Sequence, residues 1–219
     1  MITVLVFNNS TGRMETYQRN LADAMPYNNG RTLSVREFRA NSRSNIIWTS
    51  TNTMNAWNNF RARWGSPIHI GACFRRIGEN RHADQSQHYA GTAFDVGQNL
   101  TNAQRTSLRN LASSSGIWAH VDPASATPTW VHFDARQGPP ACASGYPTLR
   151  RGMASNYVCT LQDALQTNNF LGAQLDGNFG PITEEAVRAF QRSVSLTADG
   201  VVGCNTWRAL TSRANGRLC

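Results

Sequence analysis

Two histidines and an aspartate constrain this chain more than any other feature. His88 and Asp95 fall within Ser86-Gln87-His88-Tyr89-Ala90-Gly91-Thr92-Ala93-Phe94-Asp95, and His132 within Trp130-Val131-His132-Phe133-Asp134. Two imidazoles and a carboxylate form the three-ligand set that leaves the fourth position of a zinc ion open for water. A fold that uses them must bring a segment near residue 90 against one near residue 132. The local pattern fits that demand. A ligand on a loop, a glycine free to take backbone angles closed to other residues, and a short apolar run carrying the second ligand make a loop that feeds into a strand. Ala93 leaves room beside a metal. If residues 130–134 form a regular strand, Trp130, His132 and Asp134 share one face. The competing reading makes both histidines ordinary hydrogen-bonded residues; ligand types, spacing and open position together favour zinc.

A chain of 219 residues suits one large domain, or one moderate domain plus a small module. Its 40% hydrophobic content supports true cores. The net charge is +8, and all 21 basic residues are arginine, which excludes lysine catalysis. Such a balance favours an anionic partner: nucleic acid, a membrane surface or a cell wall. The arginines are dispersed from Arg13 to Arg217, with no basic run or aromatic RNA-binding signature, which argues against nucleic acid. No stretch approaches the roughly 20 apolar residues that cross a bilayer, so membrane insertion is not expected. The apolar run Ile2–Phe7 has no basic lead and no cleavage pattern after it. The expectation is a protein secreted after removal of a leader, or released by lysis. Five cysteines are present, Cys73, Cys142, Cys159, Cys204 and Cys219. Disulfides in the C-terminal part are expected if it works outside a cell, with the pairing left open. Cys73 reads as an inert buried thiol rather than a nucleophile.

The string Ser-x-His-x-x-Gly-x-Ala-x-Asp with a later apolar-His-apolar-Asp strand resembles a known family. It is that of the zinc D-alanyl-D-alanine carboxypeptidases and L-alanyl-D-glutamate endopeptidases, which cut peptidoglycan stem peptides. The Hedgehog signalling domain shares their metal fold. The resemblance implies an α+β catalytic domain, an antiparallel sheet with flanking helices, holding Zn2+ on His88, Asp95 and His132. In that family a strand usually reading Ser-Gly-Tyr-Arg ends on an arginine that binds the substrate carboxylate or polarises the scissile carbonyl. Here the segment is Gly71-Ala72-Cys73-Phe74-Arg75, so only Arg75 matches, with Arg76 as the fallback. Family members often carry Asp or Glu three residues before the last histidine, where this chain has Thr129. Asp134 is the expected substitute as general base, Asp122 stands behind it, and His120 is expected to stabilise the transition state. Each could equally orient a metal ligand. Ser86 is expected to shape the loop before His88.

Along the chain, Ile2–Phe7 and Met14–Tyr17 read as a hairpin about the turn at residues 8–12. Residues 20–34 read as a loop, and Leu33–Phe38 resembles the family's entry to the peptidase domain. Met54, Trp57, Phe60 and Trp64 predict a core-facing helix that Gly65 stops. Residues 68–74 alternate as in a strand. Thr101-Asn102-Ala103-Gln104 has the form of a capping box opening a helix that Gly116 ends. Ile117–Val121 and Trp130–Asp134 read as strands flanking the site.

The tail repeats itself. Asp176-Gly177-Asn178-Phe179-Gly180-Pro181-Ile182-Thr183 returns 23 positions later as Asp199-Gly200-Val201-Val202-Gly203-Cys204-Asn205-Thr206. In each copy the Asp-Gly turn leads to a threonine suited to cap a helix. Glu184 and Glu185 favour the positive end of the first such helix, and Ala186, Val187, Phe190 and Val194 give it an apolar stripe. With Leu161, Leu165 and Trp207–Leu210 this predicts a three-helix module resembling the peptidoglycan-binding domain found beside many wall hydrolases. Cys204 stands where that family usually has proline, which hints at a local disulfide.

The expected organisation is a catalytic domain over 1–136 (with hairpin and loop over 1–32), a linker over 137–146, and a peptidoglycan-binding domain over 147–219 that folds alone. The expected activity is that of a monomeric cell-wall peptidase with peptidoglycan as its partner. A wall-binding protein that has lost catalysis, motivated by Thr129, and a metal-stabilised interaction domain are the competing classes.

Overall fold

The N-terminal hairpin forms as its pattern requires. Strands β1 (Ile2–Asn8) and β2 (Arg13–Arg19) pair antiparallel over their whole length, Ile2 opposite Arg19 and Asn8 opposite Arg13. β1 is then covered on its other edge by β3 (Ile46–Ser50), which runs parallel to it. The sheet order β2-β1-β3 is therefore mixed. The computed structural model describes residues 1–79, 82–143, 145–172, 175–214 and 216; Cys219 and Arg217 lie outside them.

Between β2 and β3, the short helix α1 (Val35–Arg39) opens on Ser34, whose hydroxyl accepts from the Glu37 amide while Glu37 returns a bond to the Ser34 amide. Helix α2 (Thr51–Trp64) follows β3 directly and buries Met54, Trp57 and Phe60. It stops at Gly65, whose φ of +76° is the left-handed ending expected there. Helix α3 (Asn102–Ser114) has the Thr101–Gln104 capping box. The chain passes through Ser115 before turning at Gly116.

The second sheet is antiparallel throughout, in the order β4-β5-β7-β6: β4 (Ile70–Ala72), β5 (Ala93–Val96), β6 (His120–Val121) and β7 (Val131–Asp134). Two strands are shorter than their sequence pattern. The alternation over 68–74 yields only three strand residues, because pairing with β5 breaks register between Ile70 and Ala72 and Cys73 turns inward beside Phe74. Of Ile117–Val121 only the last two residues pair, because the Ala119 amide already bonds to the Asp134 carbonyl at the strand end. Aromatic rings fill the space between this sheet and α2: Trp57 stacks on Phe94 at 4.8 Å, Trp118 on Phe133 at 4.2 Å, and Phe60 meets Phe133 edge-on at 4.9 Å. Rings in such contact stabilise beyond their buried area.

The tail forms three helices, α4 (Asn156–Thr167), α5 (Pro181–Ser193) and α6 (Cys204–Ala214). The repeat is real, but its threonines are not caps. Gly180 holds the N-cap of α5, and Pro181 and Cys204 open their helices, so Thr183 and Thr206 are each the third residue of the first turn. Each hydroxyl instead meets a buried glutamine from the preceding helix. Gln162 Nε2 reaches Asp176 Oδ1 (2.8 Å) and Thr183 Oγ1 (3.3 Å), while its Oε1 accepts from the Asp176 and Gly177 amides. Gln191 repeats this with Asp199 Oδ1 (2.8 Å), Thr206 Oγ1 (3.2 Å) and the Gly200 amide. One amide side chain thus satisfies a whole Asp-Gly turn.

Cys142 and Cys204 form a disulfide across 62 residues, tying the segment after the sheet to the start of α6. Cys73 and Cys159 are buried free thiols. The expectation of a tail with a separate core is not met. The core of the helical module includes Ile77, Tyr89 and Ala90 from the loop around His88, and Tyr146 from the expected linker.

Candidate metal centre

The register of the antiparallel sheet builds most of the site. Ala72 of β4 lies opposite Asp95 of β5, and Asp95 opposite His132 of β7. The Asp122 amide, just past β6, bonds to the His132 carbonyl at 3.0 Å. Paired residues of neighbouring strands project to the same face, so Asp95, His132 and Asp122 stand in one row, with alanine ending it. His88 enters from the loop before β5. Gly91 turns that loop with φ +66°, and a Cβ there would come within 1.9 Å of the Trp48 carbonyl oxygen. No side chain fits at this position.

His88, Asp95 and His132 each offer a ligand atom, all within 4.8 Å of one another. His88 Nε2 is 3.3 Å from Asp95 Oδ2, and His132 Nδ1 is 2.7 Å from Asp95 Oδ1. Ligands about 2 Å from a tetrahedral zinc lie roughly 3–3.5 Å apart; the His88–Asp95 separation falls in that range and the His132–Asp95 contact just below it, so the donor set can close on such an ion. The rings are also oriented for it. His88 Nδ1–H donates to the Cys73 carbonyl at 2.5 Å, which fixes the tautomer and leaves Nε2 for a ligand role. His132 Nε2 points the other way, toward Asp134 Oδ2 at 3.6 Å. Although burial opposes charge on both groups, hydrogen bonds from His132 and His88 hold the Asp95 carboxyl well below the carboxylate range, and Asp134 and Asp95 raise His132 to about 9.

The other expected site residues separate. Asp134 is fully buried, and Arg136 binds both its oxygens, Nε to Oδ1 at 2.8 Å and Nη2 to Oδ2 at 2.5 Å. Despite burial, this pair holds its carboxyl down at about 2. The carboxylate stands behind His132, on the nitrogen facing away from Asp95. Asp122 and Asp134 both line the open cavity of about 340 Å³ in which the triad sits, but Asp122 keeps exposed side-chain surface there and Asp134 does not. His120 does not line that cavity; its Nε2–H donates to Asp122 Oδ1 at 2.9 Å. Arg75 is displaced from its expected place. It lines a neighbouring cleft with Asn41, Arg43 and Glu79, because Phe74 and Cys73 turn into the core just before it. Arg76 is committed to Asp163 of α4 and lies over the Trp48 ring. Ser86 does shape the loop, its Oγ accepting from the His88 amide at 3.3 Å.

Among the cavity-lining residues that the sequence did not single out are His82, Thr127 and Arg136. His82 meets the His88 ring edge-on at 5.5 Å, and burial, then the charges of His88 and Arg75, lower it to about 4. Arg136 was legible in principle, since it lies two residues after Asp134 on the line of the strand. Among the described residues it is the arginine that lines the cavity.

A candidate metal-ligand triad in an open cleft, on an antiparallel sheet flanked by helices and joined to a helical module, defines a metallopeptidase-like class. The chain combines a domain of the Peptidase M15 family, matched over residues 29–134, with one of the family described as "Putative peptidoglycan binding domain", matched over residues 155–210. Among characterised proteins it is similar to the zinc D-Ala-D-Ala carboxypeptidase of Streptomyces albus G, 38% identical over 71 residues, covering 32% of this chain and 28% of that protein. It is 42% identical over 62 residues to the N-acetylmuramoyl-L-alanine amidase CwlM of Mycobacterium tuberculosis, covering 27% of this chain and 15% of that protein. An uncharacterised protein of Kitasatospora aureofaciens is 36% identical over 81 residues, covering 35% of this chain and 69% of that protein. The matches to the carboxypeptidase and the amidase thus span under a third of those proteins. Of solved structures, a peptidoglycan-binding protein of Clostridioides difficile shares 30% identity over 33% of this chain and 45% of its own, with a TM-score of 0.31. The SleB N-terminal domain shares 34% identity over 31% of this chain and 92% of its own, with a TM-score of 0.30.

Proposed function

We propose that this chain is a zinc-dependent peptidase that hydrolyses a peptide bond in peptidoglycan stem peptides, as a D-Ala-D-Ala carboxypeptidase or an endopeptidase acting at the bacterial cell wall. The observation that carries the reading is the convergence of His88, Asp95 and His132 on one open cleft within a Peptidase M15 domain. The adjoining peptidoglycan-binding domain supports the choice of substrate.

Zinc bound by these three residues would act as a Lewis acid and lower the pKa of a coordinated water toward about 7. The chain supplies the rest. Asp122, facing the cavity and held by the His120 N–H, accepts the proton of the attacking water and returns it to the departing amine. Arg136 lines the same cavity and takes the part expected of Arg75. Its Nε and Nη2 are fixed by Asp134, leaving Nη1 outside that pair to meet negative charge on the scissile carbonyl or a substrate carboxylate. Asp134 orients both His132 and Arg136 rather than serving as the base. Trp130 supplies an apolar wall to the cleft.

Incubating the full chain with purified peptidoglycan, with and without a chelator, tests the proposal. Release of stem-peptide fragments that stops with chelation and returns with zinc is the expected result, and their masses identify the bond cut. Metal-loaded protein that sediments with the wall yet releases nothing would make it a binder instead.

A further inference from the structure

The loop that carries His88 is held from both sides, by the catalytic domain and by the segment that runs from Tyr146 into the C-terminal module. The Ser86 carbonyl accepts from the Tyr146 hydroxyl at 2.5 Å, the Tyr89 carbonyl from Thr160 Oγ1 at 3.0 Å, and the Ala90 carbonyl from Asn156 Nδ2 at 2.8 Å. The Gln87 side chain accepts from the Tyr157 hydroxyl at 2.9 Å. From the catalytic domain come the Trp48 indole, donating to Tyr89, the Thr49 hydroxyl, donating to Gly91, the Arg75 amide, donating to the His88 carbonyl at 3.2 Å, and the Cys73 carbonyl, accepting from the His88 ring. Just upstream, Asp163 Oδ2 accepts from the Ile77 amide at 2.9 Å and its other oxygen binds Arg76.

Asn156, Thr160 and Asp163 fall at i, i+4 and i+7, one face of α4. All three are fully buried. A module that only anchors the enzyme to the wall would turn such a polar face to water. Here its partners lie in the His88 loop and at Arg76 and Ile77 just upstream of it, while Val158, Leu161 and Leu165 fill the module's own core. Tyr89 and Ala90, which flank His88 on its C-terminal side, belong to that same core.

We propose that α4 is a positioning element of the metal centre: through Asn156, Tyr157, Thr160 and Asp163 it fixes the loop that presents His88, so metal affinity depends on the C-terminal module. This rests on the zinc-peptidase reading above. Asp95 and His132 are held by the strand ladder, whereas the loop bearing His88 lies outside it and takes part of its order from the helix packed on it.

The test uses the full chain with Tyr157→Phe, Thr160→Val and Asp163→Asn. Val187→Ala, in the module core on α5, serves as a control for general loss of stability. Zinc affinity is measured by competition with a chromophoric chelator, and amide hydrogen exchange is followed over residues 86–92. Loss of groups that orient metal ligands typically weakens binding about 10-fold or more. The α4 variants are expected to weaken zinc by that order and to speed exchange of the loop while still sedimenting with peptidoglycan. The control should melt earlier with zinc affinity unchanged. Wild-type affinity and loop protection in all three variants, or an equal loss of affinity in Val187→Ala, would overturn the inference. A wild-type chain that binds no zinc would overturn the peptidase reading itself, and is told apart because no variant is needed to see it.

Discussion

Asp134→Asn separates two roles that sequence spacing alone leaves equal. If Asp134 were the general base, the amide would leave the metal in place and cut turnover by about 10²–10⁴-fold. The structure predicts a different pattern. Asp134 lies 3.6 Å behind His132 Nε2, and its oxygens are engaged by Arg136. An asparagine keeps one acceptor, and Arg136 retains it. The new amide group then faces the His132 N–H, donor against donor. Loss of a carboxylate behind a ligating histidine typically weakens metal binding about 10–100-fold, or about 1.4–2.7 kcal/mol. At saturating zinc, turnover should therefore stay within about tenfold of wild type, with the residual loss coming through Arg136. The assay is a zinc titration of the metal-free protein, followed by hydrolysis of a short soluble stem peptide at several zinc concentrations. Wild-type zinc affinity combined with a thousandfold lower kcat would refute the orienting role and return Asp134 to the base.

Asp122→Asn should behave in the opposite way, with zinc affinity preserved and kcat lower by about 10²–10⁴-fold, read at saturating zinc. Gly91→Ala places a Cβ on the Trp48 carbonyl at a left-handed φ, so the His88 loop must move; the expected outcome is loss of zinc binding, checked by elemental analysis of the folded fraction. Replacing Cys142 and Cys204 together by serine opens a 62-residue loop, for which chain entropy gives about 4 kcal/mol; urea unfolding should show most of that loss, and reducing agent should then have no further effect. Gln191→Leu leaves the Gly200 amide and the Asp199 carboxylate without their buried partner. It should cost about 1–3 kcal/mol in the same assay, and an unchanged midpoint would remove the glutamine from the account of the repeat.

The sequence carried the local elements well because their signals are local. The capping box at Thr101, the stop at Gly65 and the stripe through Met54, Trp57 and Phe60 need only a few neighbouring residues, and each formed as expected. It pointed to His88, Asp95 and His132, which the fold brings together, because ligand types and spacing are chemical statements. What it concealed depends on partners distant in the chain. β3 gives no alternation, since it packs under α2 and against the α4 side and is buried along most of its length. The repeat's threonines look like caps until Gln162 and Gln191 arrive from the preceding helices. Arg75 and Arg76 are adjacent in a string that fits a substrate-binding arginine. Only the three-dimensional packing shows one in a side cleft and the other paired with Asp163.

With His88, Asp95 and His132 as the proposed metal ligands, their two mechanical origins determine which of them limits the site. Asp95 and His132 face one another across a hydrogen-bonded ladder, and their strands bury Phe94 and Phe133 in the aromatic core. Separating them requires breaking the domain. His88 is fixed instead by a turn closed with Gly91, by the Cys73 carbonyl on its ring, and by carbonyl bonds to Trp48, Thr49 and α4. Regions held by loop contacts open at lower free energy than paired strands. The first local opening should therefore release His88 while the Asp95–His132 pair persists. A two-ligand remnant binds zinc far less tightly than the full set, so metal retention follows the stability of this loop rather than that of the whole fold. Bonds that strengthen the loop need not touch the metal, and the C-terminal module provides several of them.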